Sequence, residues 1–328
     1  MKPYSELTTQ GRAGRARQLV DLALPAYGLE GSRIRFLAAD WNFQFRIDTP
    51  NGKRYAMRVG DPAEHPAPHT LTEVEWLLEL GRATDLNLVQ PVSRRDGSYL
   101  TTLEVEGIPG PRSLVLFTWV PGVPLETQLS VEAYSRFGAA EAVLHQHLNR
   151  PPARRDLMAW DRVYYWPEEL VIYDEDKAAL FPPRRMKVIR ETERLVAAEL
   201  QTLAGGPTPP RLIHGDLHYW NAHIHRSDIW LFDFEDVMAG YPVQDISITL
   251  FYGRDRDDYP QLFESFRSGY ESVAPWPARN NRQLFTLMAG RTLTFMNYMA
   301  LNDSDPEPFL TKTTTRLERF LSGSPIVP

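Results

Sequence analysis

The sequence contains no cysteine in its 328 residues. Disulfides, thiolate zinc sites, iron–sulfur clusters and a cysteine nucleophile are therefore excluded. It also lacks a run of about 18 apolar residues, which a membrane-spanning helix needs. Residues 1–27 mix basic and acidic side chains where a signal peptide has an apolar core. From these absences we expect a cytoplasmic protein with no membrane partner.

The charge balance is mildly acidic, because 36 Lys and Arg residues stand against 42 Asp and Glu residues, for a formal net charge of −6. Broad contact with a nucleic-acid backbone needs a basic face, so no nucleic-acid partner is expected. With 43% hydrophobic and 24% charged residues, the chain has the composition of an ordinary globular protein. Its length predicts two domains or lobes. These features do not indicate an oligomeric state.

The first part of the chain, residues 1–116, is predicted to be a small sheet with an inserted helix. Two β-rich runs lie on either side of Asn51-Gly52, a pair typical of hairpin turns. A break at Val120-Pro-Gly-Val-Pro124 favours a hinge at residues 117–121 and a second part at residues 122–328. The predicted strands are 34–46, 54–59, 89–92, 98–102 and 114–120, and the predicted helices are 12–26 and 70–82.

The second part is predicted to be mostly helical, with one short hairpin. Apolar residues at helical spacing predict its helices. These are 131–148, 186–203, 245–251, 259–272, 281–301 and 311–320, and the hairpin strands are 222–225 and 229–232. The expected fold class is α+β with two lobes, a small β-rich N-lobe and a larger, mostly helical C-lobe.

One segment carries the chemistry: His214-Gly-Asp216-Leu-His-Tyr-Trp-Asn221, followed after a short hairpin by Asp233. Kinase-type phosphoryl transfer needs a carboxylate that orients a substrate hydroxyl and accepts its proton. It also needs an amide oxygen and a second carboxylate that hold Mg²⁺ against the nucleotide phosphates. In chain order, Asp216 is the predicted catalytic residue, and Asn221 and Asp233 are the predicted metal ligands.

Three further motifs accompany this segment: Leu144-His-Gln-His147, Phe232-Asp-Phe-Glu-Asp236 and Gly240-Tyr-Pro-Val-Gln-Asp245. Together the four resemble the motifs of the aminoglycoside phosphotransferase, choline kinase and homoserine kinase type II superfamily. The resemblance implies a protein-kinase-like fold. It also implies that Asp245 is a buried carboxylate that braces the catalytic loop, whereas the residues alone also allow Asp245 as the N-cap of a helix. His214 is interpreted as a buried support of that loop rather than as an acid or base.

The donor phosphates require positive charge from the N-lobe, which kinases supply with a strand lysine paired with a helix glutamate. The matching strand carries Arg58, so this arginine is predicted to take the place of the lysine. A guanidinium is a planar fork rather than a point charge, so how fully it replaces the lysine is left open. Its predicted partner is Glu73, with Glu75 and Glu79 as alternatives.

Three more residues are predicted to bind the nucleotide, although the sequence has no G-x-G-x-x-G motif. Asn42 stands in a polar turn where the family often has asparagine, and the backbone N–H groups of such a turn can cap phosphates. Phe117 and Trp119 lie in the predicted hinge, whose backbone would pair with the adenine edge while apolar side chains cover the ring. The donor is predicted to be ATP, with GTP as an alternative.

The sequence leaves several alternatives open. Four of the eight histidines lie within residues 214–225, which allows a zinc site, although Mg²⁺ explains the acids better. Between residues 216 and 245, six acids stand against one arginine, which allows a cationic substrate. Residues 160–166, 252–258 and 291–302 are expected to select the acceptor.

The first hypothesis for the function is Mg²⁺-dependent transfer of the γ-phosphate of ATP to a hydroxyl of a small molecule. Aminoglycosides, choline, homoserine and related metabolites are the candidate acceptors. The alternatives are a bacterial stress-response-type protein Ser/Thr kinase and a nucleotide-binding pseudoenzyme.

Overall fold

A computed structural model describes residues 2–39, 42–62, 65–147, 157–166 and 168–323. These residues form two compact units. The first contains residues 2–122 and Trp230–Glu235, and the second contains the remainder. The first unit thus extends past the predicted hinge to Gly122 and includes a later segment that the sequence pattern had assigned to the second part.

The first unit is built on a five-stranded antiparallel sheet in the order β1-β2-β3-β6-β5. Its elements are α1 (Thr9–Tyr27), β1 (Arg33–Ala39), β2 (Phe43–Asp48), β3 (Arg54–Gly60), α2 (Ala67–Ala83), β4 (Asn87–Leu88), β5 (Leu100–Leu103) and β6 (Arg112–Thr118). Helix α1 contributes Leu19 and Leu24 to a core that also contains Phe45 and Met57 of the sheet. An apolar stripe at helical spacing and alternating strand residues meet in this core.

The predicted hairpin forms between β2 and β3. The turn is closed by the Thr49 N–H, which donates to the Lys53 carbonyl at 2.9 Å, and Gly52 has the positive φ of +82° that the turn requires. The single strand predicted over 34–46 is wrong, because the chain reverses within it and forms β1 and β2 as an antiparallel pair. Asp40 and Trp41 of that turn lie outside the described residues.

The strand predicted over 89–92 is also wrong. The observed strand β4 is only two residues long and ends at Leu88. Pro91 lies within the predicted run, and proline has no N–H to donate to a ladder. The segment is instead held at single points, such as the bond from the Val92 N–H to the Leu116 carbonyl at 2.8 Å.

The second unit is mostly helical. Its elements are β7 (Val123–Pro124), α3 (Val131–Gln146), α4 (Pro183–Ala204), β8 (Arg211–Ile213), β9 (Ala222–His225), β10 (Asp228–Leu231), β11 (Met238–Gly240), α5 (Pro242–Tyr252), α6 (Tyr259–Glu271), α7 (Asn281–Asn302) and α8 (Glu307–Leu321). The last two residues of β10 belong to the first unit, where they pair in parallel with β4. No helix in the described part of the chain is long and apolar enough to cross a membrane.

Helices α3 and α6 approach each other closely through two buried glycines. A Cβ atom on Gly138 of α3 would collide with the Phe266 carbonyl oxygen, and one on Gly269 of α6 would collide with the Ser135 carbonyl oxygen. The two backbones therefore touch where a side chain would hold them apart. This contact fixes α3, whose last turn carries His145.

Candidate active site

Arg58 of β3 is buried in the first unit and forms an ion pair with Glu73 of α2. Its Nη1 donates to Glu73 Oε1 at 2.9 Å and its Nη2 donates to Glu73 Oε2. Burial by itself would lower the pKa of Arg58, but Glu73, Glu235 and Asp233 together raise it. The guanidinium is therefore charged at any physiological pH, and Glu73 is its helix partner, ahead of the alternatives Glu75 and Glu79.

Glu235 is a second partner of Arg58 that sequence reasoning missed. Its Oε2 lies 3.4 Å from Arg58 Nη1 and accepts a hydrogen bond from Asn42 Nδ2. Its backbone carbonyl lies 2.7 Å from His69 Nε2. Asn42, predicted from its turn, is thus brought to the same cluster as Arg58, with its side-chain amide engaged by Glu235.

Asp233 follows β10 and has a left-handed backbone, with φ of +67°. Few residues other than glycine adopt this conformation, and aspartate and asparagine are the most tolerant of it. Asp233 contributes to the high pKa of Arg58, so its carboxylate acts on the same cation as Glu73 and Glu235. Three carboxylates thus act on one guanidinium.

The two predicted hinge aromatics separate in the structure. The buried ring of Phe117 in β6 lies under the Arg58 guanidinium, 5.2 Å from its Cζ. The ring of Trp119 instead lies 5.6 Å from the Cζ of Arg46. It lines a pocket of about 440 Å³ with residues 52–55 and Thr118. Phe117 therefore belongs to the Arg58 cluster, whereas Trp119 lies beside Arg46.

Asp216 is surrounded by hydrogen-bond donors in the second unit. Its Oδ1 accepts from Arg291 Nη2 and from the Tyr252 hydroxyl at 3.3 Å. Its Oδ2 lies 3.2 Å from His218 Nε2. The other ring nitrogen of His218 accepts from the Trp220 N–H at 3.2 Å, so Nε2 is the nitrogen that carries the proton.

These contacts hold Asp216 in its ionised form. Burial would raise the pKa of Asp216, but His218 and then Arg291 lower it to about 2. Its side chain is still 19% exposed, so an incoming group has access to the carboxylate.

The loop that carries Asp216, the predicted catalytic residue, is shaped by Asn221 and Gly215. The Asn221 Nδ2 donates to the Asp216 carbonyl at 2.9 Å. Its Oδ1 accepts no hydrogen bond from a residue that the structure describes, and this oxygen is the atom that a hard cation would bind. Gly215 has φ of +83°, and a Cβ atom there would collide with the Asp236 carbonyl oxygen, so only glycine fits between His214 and Asp216.

Asp245 is fully buried and holds the start of the loop that carries Asp216. Its Oδ2 accepts from the His214 N–H at 2.8 Å and its Oδ1 from the Gly215 N–H at 2.9 Å. His145, from the Leu144-His-Gln-His147 motif, places Nε2 3.3 Å from Asp245 Oδ2. The N-cap alternative for Asp245 is wrong, because α5 begins at Pro242 with Tyr241 as its N-cap. His214 is itself fully buried, and its Nδ1 accepts from the Asp216 N–H at 3.3 Å.

The structure brings Arg291 and Tyr252, from two of the segments expected to select the acceptor, to Asp216, and it adds Glu235 to the predicted set. The available signal for Arg291 was a lone arginine within the apolar pattern of a long helix, a position where a charge is buried only if it has partners. No group of three or more His, Asp or Glu side chains that could hold a metal ion occurs within the described ranges. The histidines of residues 214–225 accordingly form no such zinc centre there.

Comparison with protein families shows which family the chain belongs to. A model of the Phosphotransferase enzyme family matches residues 33–279. The chain belongs to this family. It is therefore a phosphotransferase, which confirms the predicted family and enzyme class.

Individual relatives are distant but cover most of the chain. Amicoumacin kinase of Bacillus subtilis (strain 168) is 24% identical over 244 residues, which is 71% of this chain and 67% of that protein. The solved structure of the amicoumacin kinase hAmiN in complex with AMP-PNP, Ca²⁺ and Ami has a TM-score of 0.76 at 18% identity and covers 98% of both chains. That of the microcompartment-associated aminopropanol kinase has a TM-score of 0.77 at 21% identity, over 94% of this chain and 98% of the other. These likenesses confirm the predicted protein-kinase-like α+β fold.

Proposed function

We propose that this phosphotransferase moves the γ-phosphate of ATP to a hydroxyl of a small molecule with the help of Mg²⁺. The observation that carries the proposal is the state of Asp216, an ionised carboxylate held by donors on both oxygens and still partly exposed. A group of this kind orients a hydroxyl and accepts its proton. Membership of a phosphotransferase family supplies the reaction class.

Mg²⁺ fits the residues present. Magnesium prefers oxygen ligands, and the predicted ligands are the Asn221 Oδ1 and the Asp233 carboxylate. The Asn221 amide is oriented with its nitrogen on the Asp216 carbonyl, which leaves the oxygen available. Asp233 is a carboxylate that acts on Arg58 together with Glu73 and Glu235. When bound, the metal neutralises charge on the donor phosphates.

The transfer step forms one bond, breaks one bond and moves one proton. The acceptor oxygen forms a bond to the γ-phosphorus, and the bond from that phosphorus to the β,γ-bridging oxygen breaks, which leaves ADP. The hydroxyl proton passes to the Asp216 carboxylate and then to solvent. Because the pKa of Asp216 is about 2, the carboxylate mainly orients the hydroxyl, and it takes the proton only as the P–O bond forms.

Arg58 is proposed to contact the donor phosphates, and Glu73 is proposed to hold its guanidinium in position. The two-point pairing fixes the plane of the guanidinium. A lysine ammonium group is a point charge and could not be oriented in this way. Asn42, Phe117 and Trp119 stay proposed contacts of the nucleotide. Asp245 and His214 are proposed to act through the catalytic loop, since their contacts are to its backbone.

The acceptor is proposed to be a small alcohol, in line with the amicoumacin kinase and aminopropanol kinase relatives. The test is a coupled ADP- and GDP-release assay across amino alcohols, choline, homoserine, sugars and aminoglycosides, with Asp216→Asn as the control. Asp216-dependent turnover of at least one small alcohol supports the proposal. Turnover only on a generic protein, or Mg-ATP binding with no turnover, contradicts it.

A further inference from the structure

Arg291 of α7 lies beside the predicted catalytic carboxylate and has no part in the transfer step described above. Arg291 is fully buried. Four aromatic rings surround its guanidinium within cation–π distance, and we call them the aromatic cage. The distances from Arg291 Cζ to the ring centroids are 5.2 Å for Trp166, 5.9 Å for Phe251, 5.4 Å for Tyr252 and 5.2 Å for Phe295.

Three oxygens fix the guanidinium inside the aromatic cage. Its Nη1 donates to the Tyr165 hydroxyl at 2.6 Å, and its Nη2 donates to the Tyr252 hydroxyl at 2.7 Å. The same Nη2 donates to Asp216 Oδ1. Arg291 is thus held by ring faces and by a carboxylate. The same groups would hold an organic cation from solution.

Ring faces combined with a carboxylate are the chemistry that recognises ammonium groups in ligands. In this chain the place is already taken by an internal cation. A second cation beside it would have to share a poorly solvated region with Arg291, where like charges repel strongly. An acceptor that brings its hydroxyl to Asp216 must therefore bring its neighbouring group close to a fixed positive charge.

Three of the acids near the catalytic segment already have partners of their own. Asp216 is itself the partner of Arg291, and Asp245 is occupied by backbone N–H groups. Glu235 is paired with Arg58 in the first unit. Three of the six acids that the sequence shows between residues 216 and 245 are thus already paired, and these three do not argue for a cationic substrate.

We propose that Arg291 is a specificity-determining residue of the acceptor site. It rejects alcohols that carry an ammonium group beside the reacting hydroxyl and admits alcohols whose neighbouring group is uncharged or anionic, such as an amide or a carboxylate. The proposal rests on the proposed function for the identity of the reaction. Whether Arg291 occupies the aromatic cage can be tested by a binding measurement that does not depend on enzyme turnover.

The first measurement is the melting temperature of the full chain in methylguanidinium or tetramethylammonium chloride, with sodium chloride at equal concentration as the reference. Arg291→Ala empties the aromatic cage, so either organic cation should raise its melting temperature saturably, while the wild type does not respond. Arg254→Ala is the matched control. Arg254 is also a buried arginine, with its Cζ 3.4 Å from the centroid of Phe251, but it is not hydrogen-bonded to Asp216.

The second measurement is kcat/KM by ADP release for glycolamide and glycolate against ethanolamine and choline, which differ in the group beside the hydroxyl. The wild type should favour the amide or carboxylate by about tenfold or more, the size of one like-charge contact. Arg291→Met, which fills the cage without charge, should lose that preference, and Arg291→Lys should keep its direction. This pair of variants also serves if Arg291→Ala does not fold.

The outcomes separate the two proposals. A wild-type preference for the ammonium alcohols, an unchanged preference in Arg291→Met, or a cation response in wild type and Arg254→Ala alike overturns the role of Arg291. If the wild type phosphorylates no small alcohol, the proposed function fails. The role of Arg291 is then decided by the melting curves, where a missing response in folded Arg291→Ala overturns it.

Discussion

Arg58 and Glu73 form a two-point ion pair in which both side chains are almost completely buried. Each side chain thus provides the opposite charge that compensates for the burial of the other. Removal of one partner from such a pair costs about 3–5 kcal/mol, because the remaining charge stays buried. For any Arg58 variant, the free energy of unfolding must therefore be measured together with the activity.

Arg58→Ala should raise KM for the nucleotide about tenfold to hundredfold, since a charge-assisted contact is worth about 1.5–3 kcal/mol. It should also lower the melting temperature, and Arg58→Ala combined with Glu73→Gln should recover stability without recovering nucleotide use. Arg35→Ala is the control, because Arg35 of β1 lies in the same sheet with its side chain 45% exposed. Wild-type nucleotide KM and kcat in Arg58→Ala would mean that Arg58 has no contact with the donor.

Asp216 and Asp233 should fail in different ways when each is changed to asparagine. Asp216→Asn should lower turnover by about 10²–10⁴ while Mg-ATP still binds and raises the melting temperature by mass action. Asp233→Asn should weaken the Mg²⁺-dependent part of that rise along with turnover. Asparagine tolerates the positive φ of Asp233, so the loss will not come from backbone strain.

The measurement is thermal shift with Mg-ATP and with ATP plus EDTA, on both variants. An equal loss of the Mg²⁺-dependent shift in the two would show that the assignment of the catalytic carboxylate is wrong. An active Asp216→Asn enzyme would remove the proposed mechanism.

Gly269→Ala should destabilise the protein by about 3 kcal/mol or more, because helix α6 has to move away from α3 to make room for the methyl group. Gly14→Ala is the matched control. Gly14 also lies within a helix, but nothing is near the place of its Cβ. That substitution should stabilise by about 0.5–1 kcal/mol through helix propensity. Urea denaturation of both variants measures the difference, and equal effects would contradict the backbone contact between α3 and α6.

Glu141 of α3 should make the protein less stable as pH rises. Burial, with a smaller contribution from Asp245, raises the pKa of Glu141 well above its usual value. Its Oε2 accepts from the Thr249 hydroxyl at 2.8 Å, and its Oε1 lies 3.8 Å from His145 Nε2. A folded-state pKa above the unfolded value means that the protonated acid stabilises the fold below a pH of about 4.3 and that this contribution is lost as pH rises towards the folded value.

Glu141→Gln imitates the protonated acid and should remove this pH dependence. The difference in free energy of unfolding between wild type and variant should move in favour of the variant above a pH of about 4.3, by at most about 1.4 kcal/mol per pH unit. Denaturation curves for both proteins between acidic and neutral pH measure it. A difference that does not change with pH would show that folding does not raise the pKa of Glu141.

The sequence predicted those parts of the site that depend on short spacing. Asp216 and Asn221 are five residues apart in one loop, and Arg58 and Glu73 are 15 residues apart on a strand and the next helix. Arg291 follows Asp216 by 75 residues, and Glu235 follows Asn42 by 193. The segment 291–302 was expected to select the acceptor, but the contacts of Arg291 with Asp216 and of Glu235 with Asn42 depend on how helices and strands pack, and no local sequence pattern specifies this. The errors over 34–46 and 89–92 were local, at a turn and at a proline.

The return of residues 230–235 to the first unit has a consequence for how this chain is made. Leu231 pairs with Leu88, the ring of Phe234 lies edge-on to Trp76 at 5.4 Å, and Glu235 is bound by Arg58 and His69. During synthesis, more than a hundred residues emerge after Gly122 before these partners are available. A fragment cut at Gly122 would leave Arg58 without Glu235 and Trp76 without a neighbouring ring. The residues proposed to bind the nucleotide therefore cannot be produced in full as a separate fragment that ends at Gly122.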